Sequence, residues 1–109
     1  MSRPIRARVR MPSTAARGDE ITIRVMATHP MESGNRRDMA NELVPRDMIH
    51  RFTVDFDGER LLDIDIGTGV SSNPFFEFAV VAMHSGAFTF AWHEDNGAIH
   101  TETARLSVS

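Results

Sequence analysis

The 109-residue sequence contains no cysteine. That single absence removes disulfides, thiol catalysis, iron–sulfur clusters and cysteine-based zinc sites, and it means the chain cannot carry a thiol itself. Lysine is missing as well. All twelve basic residues are arginine, a bias that suits planar, bidentate contacts with carboxylates and oxyanions but that genome composition would also produce. There is no excess of positive charge, the formal net charge being -3 and the pI about 5.9, so composition gives no electrostatic case for nucleic acid. Long apolar runs are lacking too. The segment Met1-Ser2-Arg3-Pro4-Ile5-Arg6-Ala7-Arg8 has charge without a following apolar stretch, so it reads as neither a signal peptide nor a spanning helix, no membrane partner is expected, and the sequence by itself says cytoplasmic. Finally, no G-x-S-x-G elbow or comparable motif is present, and nothing local supports a nucleophilic enzyme.

What is present is alternation. Residues 1–109 leave room for a single domain with one core. From Pro4 to Met11, Ile5, Ala7, Val9 and Met11 alternate with Arg6, Arg8 and Arg10, and from Ile21 the apolar set is Ile21, Ile23, Val25 and Ala27. Later strands are read at Met48–Phe56, Glu59–Ile66, Phe75–Met83, Phe88–His93 and Ala98–Val108, with Asp57-Gly58 as a hairpin signal between the first two of these. Gly67 to Pro74 is rich in breakers and reads as a mobile crossing between sheets. About seven short strands without an amphipathic helix predict an all-β fold, an immunoglobulin-like antiparallel β-sandwich. The run Phe75–Met83 is apolar on both faces, which suggests a central strand or one whose second face meets a partner.

One stretch fits no regular element. His29 to Asp47 is too long for an ordinary connection, yet Met31, Met39, Leu43 and Val44 are spaced through it and two prolines stiffen it. It reads as a folded recognition loop. Arg36, Arg37, Asp38 and Arg46 are its best candidate contacts, unless Glu32, Asp38, Glu42 and Asp47 pair with the arginines and only hold the loop's shape. A different reading starts from the last hairpin. If it turns on Asn96-Gly97 alone, His93 lies opposite His100 and could begin a copper site with Met83 or His84, giving a periplasmic copper-binding or electron-transfer sandwich. Solvated surface histidines explain the same residues, and no third ligand is fixed, so no metal and no cofactor are assigned. Asp63 and Asp65 share a strand face and read as solubilising acids.

At these residues the chain resembles a known family. His29-Pro30-Met31-Glu32-Ser33-Gly34, then Arg36, Asp38, Pro45-Arg46, Ile49 and Phe52, followed by Ser72-Asn73-Pro74-Phe75 and by Ser85-Gly86 with Phe88, Phe90, Trp92, Asp95 and Gly97, resemble the SoxZ family, the Z subunit of the SoxYZ sulfur-oxidation carrier. The family pattern departs at Asn41, where glycine is expected and asparagine can also take a left-handed conformation. The resemblance implies an immunoglobulin-like domain that is no enzyme but half of a heterodimer. Its Y partner carries sulfur intermediates of thiosulfate oxidation on a cysteine of a glycine-rich tail and presents them to a cytochrome, a hydrolase and a dehydrogenase. It also implies a periplasmic location reached by co-export with the signal-bearing partner. The partner-binding residues expected here are His29, Met31, Glu32, Arg36, Arg37, Asp38 and Arg46 of the loop, with Phe75, Val81 and Met83 of the apolar outer face.

Overall fold

The computed structural model describes residues 6–29, 31, 34–44, 46–67 and 73–109. Its strands are β1 (Arg6–Arg10), β2 (Thr14–Ala15), β3 (Glu20–Thr28), β4 (Ile49–Phe56), β5 (Glu59–Asp65), β6 (Phe75–Val81), β7 (Gly86–Glu94) and β8 (Ile99–Val108). They form a three-stranded sheet in the order β1-β3-β6 and a five-stranded sheet in the order β2-β8-β7-β4-β5. All pairings are antiparallel except the short parallel contact of β2 with β8. The expected all-β, immunoglobulin-like antiparallel sandwich is therefore the observed fold.

Period-two alternation builds the core. Ile21, Ile23, Val25 and Ala27 of β3 face inward against Phe52 and Val54 of β4 and Phe88, Phe90 and Trp92 of β7. Phe52 stacks on Phe76 across the two sheets, with ring centroids 4.9 Å apart, and Trp92 tilts against Phe52 at 5.1 Å. Such aromatic contacts add about 0.5–1.5 kcal/mol each beyond the area they bury. This cluster ties the sheets together where neither shares a strand.

The turns follow their residue types. Asp57 and Gly58 both have positive φ, +48° and +87°, and Phe56 pairs with Glu59, which is the two-residue hairpin that Asp-Gly favours. The last hairpin differs from its reading. Glu94 N–H donates to the Ala98 carbonyl and Gly97 N–H to that of Glu94, so Asp95, Asn96 and Gly97 make a three-residue loop closed by Gly97 at φ +87°. Asp95 is unavailable to pair with Ala98 because its own N–H donates to the Met48 carbonyl. The register consequently sets His93 against Ile99 and His100 against Trp92. Neighbouring positions on a strand point to opposite faces, so the two histidines part and the copper reading is corrected.

Three other features lay outside what alternation shows. The two-residue strand Thr14–Ala15 pairs in parallel with Ser107 and Val108, too short to show as an alternation. A bulge between Ile49 and Arg51 buries both Met48 and Ile49. The strand Phe75–Val81 is not central but the last strand of the smaller sheet. The crossing expected from Gly67 to Pro74 lies largely outside the described residues.

Candidate functional site

The loop after β3 begins inside the protein. His29 is only 3% exposed, and its backbone is locked to Asn73: the His29 N–H donates to Asn73 Oδ1 at 3.0 Å and the Asn73 N–H donates back to the His29 carbonyl at 2.9 Å. Two residues on, Met31 takes a left-handed backbone, φ +53°, and its N–H donates to His29 Nδ1 at 2.9 Å. That bond decides the imidazole's tautomer. Nδ1 accepts, so the proton sits on Nε2, which faces Glu94 Oε1 at 3.2 Å. Met31 is buried as well, and its sulfur accepts the Ile49 N–H at 3.4 Å.

His29, Glu94 and Asp47 bring their ligand-type atoms within 4.8 Å of one another, the arrangement among the described residues that most resembles a metal site. The hydrogen bonding argues against that use. A metal on Nε2 would need Nδ1 to donate its proton to a neighbouring acceptor, whereas here Nδ1 receives a backbone N–H. The cluster is better described as a polar clamp. It joins the ends of β3 and β7 and starts the loop at a fixed angle.

The loop's other end is held by Asp95. One of its carboxylate oxygens, Oδ2, accepts both from Arg46 Nε at 2.8 Å and from the Met48 N–H at 3.0 Å. Between the clamps the chain folds on itself: the Val44 N–H donates to the Arg36 carbonyl, Arg37 bridges Leu43, and the Asp38 N–H donates to the Glu42 carbonyl. Asp38 Oδ1 accepts the Ala40 and Glu42 N–H groups across the tip, and Asn41 takes a left-handed φ of +61° there, a conformation that asparagine tolerates. Gly34, at φ +89°, lies where an added Cβ would stand 3.2 Å from Arg46 Cβ, so the two arms of the loop meet there.

These contacts sort the expected partner residues. His29 and Met31 are buried in this chain and position the loop. Glu32 lies outside the described residues. Arg37 and Asp38 are exposed but engaged, Arg37 Nη1 donating to the Asn41 carbonyl at 2.9 Å. Arg36 is exposed on the same arm. Arg46 is half-exposed and bound to Asp95, an acid outside the loop and not one of the four loop acids named as possible partners. Met39 projects fully into solvent at the tip. Sequence reading missed Glu94, Asp95 and Asn73 as anchors; their inclusion in the family pattern was the available signal for the last two.

A second surface lies on the smaller sheet. Phe75, Val81 and Met83 are 55%, 56% and 52% exposed, beside a groove of about 380 Å³ that runs between β6 and β5 and is lined by Phe56, Leu61, Val80, Met83 and Leu106. The opposite sheet is instead charged and self-paired. Arg51 Nε donates to Asp63 Oδ1 at 2.8 Å and Arg60 Nε to Asp55 Oδ1 at 2.6 Å. The Arg51 hydrogen bond holds the Asp63 carboxyl below its ordinary range, and the same bond raises the Arg51 guanidinium. Burial, with Arg51 nearby, pushes His93 below the usual histidine range.

Together these features define a small immunoglobulin-like sandwich with a loop pinned at both ends and an apolar, uncovered sheet edge. Solved structures share the architecture. Superoxide reductase (neelaredoxin) from Ignicoccus hospitalis aligns with a TM-score of 0.68 at 14% identity, over 94% of this chain and 80% of that one. The sulfur carrier protein SoxY from Chlorobium limicola f thiosulfatophilum aligns with a TM-score of 0.65 at 8% identity, over 94% and 78%. At these identities the likeness is one of fold. No curated protein matches the sequence significantly. A family model described as sulphur oxidation protein SoxZ matches residues 9–105, and the chain belongs to that family.

Proposed function

We propose that this chain is the non-catalytic subunit of a heterodimeric sulfur carrier, binding and supporting a SoxY-like subunit whose cysteine carries the covalent sulfur intermediates. The observation that carries this reading is the SoxZ family match over residues 9–105. Composition supports the division of labour: with no cysteine, this subunit cannot accept sulfur on a thiol or compete with the carrier thiol by disulfide exchange. Its contribution is then surface. A tethered reactive group needs a rigid body that enzymes can recognise, and two joined sandwiches present more of it than one. The loop tip around Arg36, Arg37, Asp38 and Met39 serves the transient contacts with the Sox cytochrome, hydrolase and dehydrogenase. The complex works in the periplasm, reached by co-export with the partner.

Co-expression with a SoxY-like subunit followed by size-exclusion chromatography tests the reading. A stoichiometric complex that survives dilution to micromolar concentration is the expected result. Two separate monomers would refute it.

A further inference from the structure

Among the described residues β6 pairs only with β3, leaving its other edge without a neighbour. Hydrogen bonds at its two ends fix which residues face that edge. The Ala27 N–H donates to the Pro74 carbonyl, the Ala82 N–H donates to the Asp19 carbonyl, and the Ala82 carbonyl accepts the Gly18 N–H. Even-numbered residues therefore bond inward to β3. Because antiparallel ladders alternate, Phe75, Glu77, Ala79 and Val81 turn their N–H and C=O groups outward.

The three longer edges are guarded very differently. β1 carries Arg6, Arg8 and Arg10 among five residues, and β5 carries Glu59, Arg60, Asp63 and Asp65 among seven. β6, Phe-Phe-Glu-Phe-Ala-Val-Val, has a single charge, and that Glu77 is bound to Arg24 at 2.7 Å. Proteins ordinarily protect an exposed edge with charge, proline or a bulge. An apolar edge left bare is one that something covers.

Charge selects the occupant. The outer face of this sheet holds Arg6, Arg8, Arg10 and Arg24 against Glu20 and Glu77, a positive face on a chain of net charge -3. Arg6, Arg8 and Arg10 have no acidic partner among the described residues, and Arg8 and Arg10 border a hollow of about 230 Å³ floored by Met26 and Phe75. A second copy would bring the same four arginines to the same face. An acidic partner would balance them.

Resting on the proposed heterodimer, we propose that a strand of the SoxY-like subunit adds to the open edge of β6 by backbone hydrogen bonds and carries the three-stranded sheet across the subunit boundary. Side chains on that added strand alternate. One set is apolar and enters the groove between β6 and β5; the other continues the outer face beside Phe75 and Val81, while Arg8 and Arg10, on the far strand β1, act on the partner only through the longer-range field of the sheet.

The test measures binding of the SoxY-like subunit to the intact chain and to three variants. Ala79→Pro removes an outward N–H without touching the β3 ladder, Val81→Asp places a charge on the edge, and the double change Arg8→Glu with Arg10→Glu reverses the face. Loss of about a hundredfold in affinity for the first two is expected, together with a lowered on-rate for the third. Hydrogen exchange serves as a readout that needs no variant to fold. The amides of Phe75, Glu77, Ala79 and Val81 should exchange freely in the isolated chain and become protected in the complex, while Phe76, Phe78 and Val80 are protected in both. A wild-type complex in which those four amides stay open, or folded β6 variants that bind undiminished, would overturn the edge assignment and leave the heterodimer standing. A wild-type chain that binds no SoxY-like subunit would remove both. Protection of the same amides in a dimer of this chain alone would make a second copy the occupant and overturn the proposal as well.

Discussion

Replacing His29 by Leu should be among the most destabilising single changes in this protein. The substitution keeps the buried apolar volume but removes two hydrogen bonds at once: the acceptor for the Met31 N–H and the Nε2–H that faces Glu94. A buried N–H without a partner costs roughly 1–3 kcal/mol, and a buried carboxylate that loses its donor costs more than a neutral group would. Together they suggest a loss of about 3–5 kcal/mol, against a total stability on the order of 5–15 kcal/mol for a small domain. Urea unfolding followed by tryptophan fluorescence reads this directly, since Trp92 is the sole tryptophan and lies in the core. A falling midpoint with an unchanged slope would show lost stability with two-state behaviour intact. Two companions make the reasoning specific. Glu94→Gln keeps an oxygen that can accept from Nε2–H and should cost only about 1 kcal/mol. The double change His29→Leu with Glu94→Leu leaves no orphaned carboxylate and should cost less than the sum of the two single changes. A loss below about 1 kcal/mol for His29→Leu, or a Glu94→Gln variant as damaged as His29→Leu, would refute the clamp and the tautomer assigned to it.

Other consequences follow from single contacts. Asp95→Ala frees Arg46 and strands the Met48 N–H, so about 1–3 kcal/mol should be lost, with hydrogen exchange accelerating across residues 34–44 and not in β3. In Gly86→Ala the new Cβ would stand 2.5 Å from Asp57 Oδ2 and from Phe56 Cζ, and a melting temperature several degrees lower is expected by calorimetry. His93 titrates below its ordinary range because burial disfavours its charged form. In the window just below pH 6.5 the unfolded chain therefore binds more protons than the folded one, and stability falls as the pH drops through it. His93→Gln should flatten that part of a stability profile. Asp63, held below its usual range by the Arg51 hydrogen bond, contributes stability present above the unfolded carboxylate's pKa of about 3.9. That contribution is lost as the pH falls through the folded value, so Arg51→Ala should reduce the acid-side slope.

Local chemistry was legible in the sequence where it acts locally. Alternation in Ile21 to Ala27 and in Phe88 to Trp92 marked the strands that make the core, and Asp57-Gly58 announced its hairpin, because side-chain direction and turn conformation are set by adjacent residues. Long-range partners were not legible. Asp95 is pulled toward Met48, and that lengthens the final hairpin and separates His93 from His100. Within the loop only Glu32, Asp38, Glu42 and Asp47 offer themselves to the arginines, whereas Arg46 binds Asp95, which lies 49 residues away. Strand order is non-local too. Phe75 to Met83 reads as doubly apolar in sequence, and only the strand order shows that β6 has an open edge. His29 and Met31 illustrate the same limit: their place in a long polar loop suggested surface, whereas the Asn73 and Glu94 contacts draw them inside.

The most direct test of the carrier reading is intact mass spectrometry of the co-purified complex with its SoxY-like subunit after thiosulfate turnover. The account predicts that the cysteine-bearing chain alone gains sulfur-containing mass while this chain keeps its sequence mass in the same stoichiometric complex. Sulfur mass on this chain, or turnover that loads the cysteine-bearing chain equally well in its absence, would contradict it.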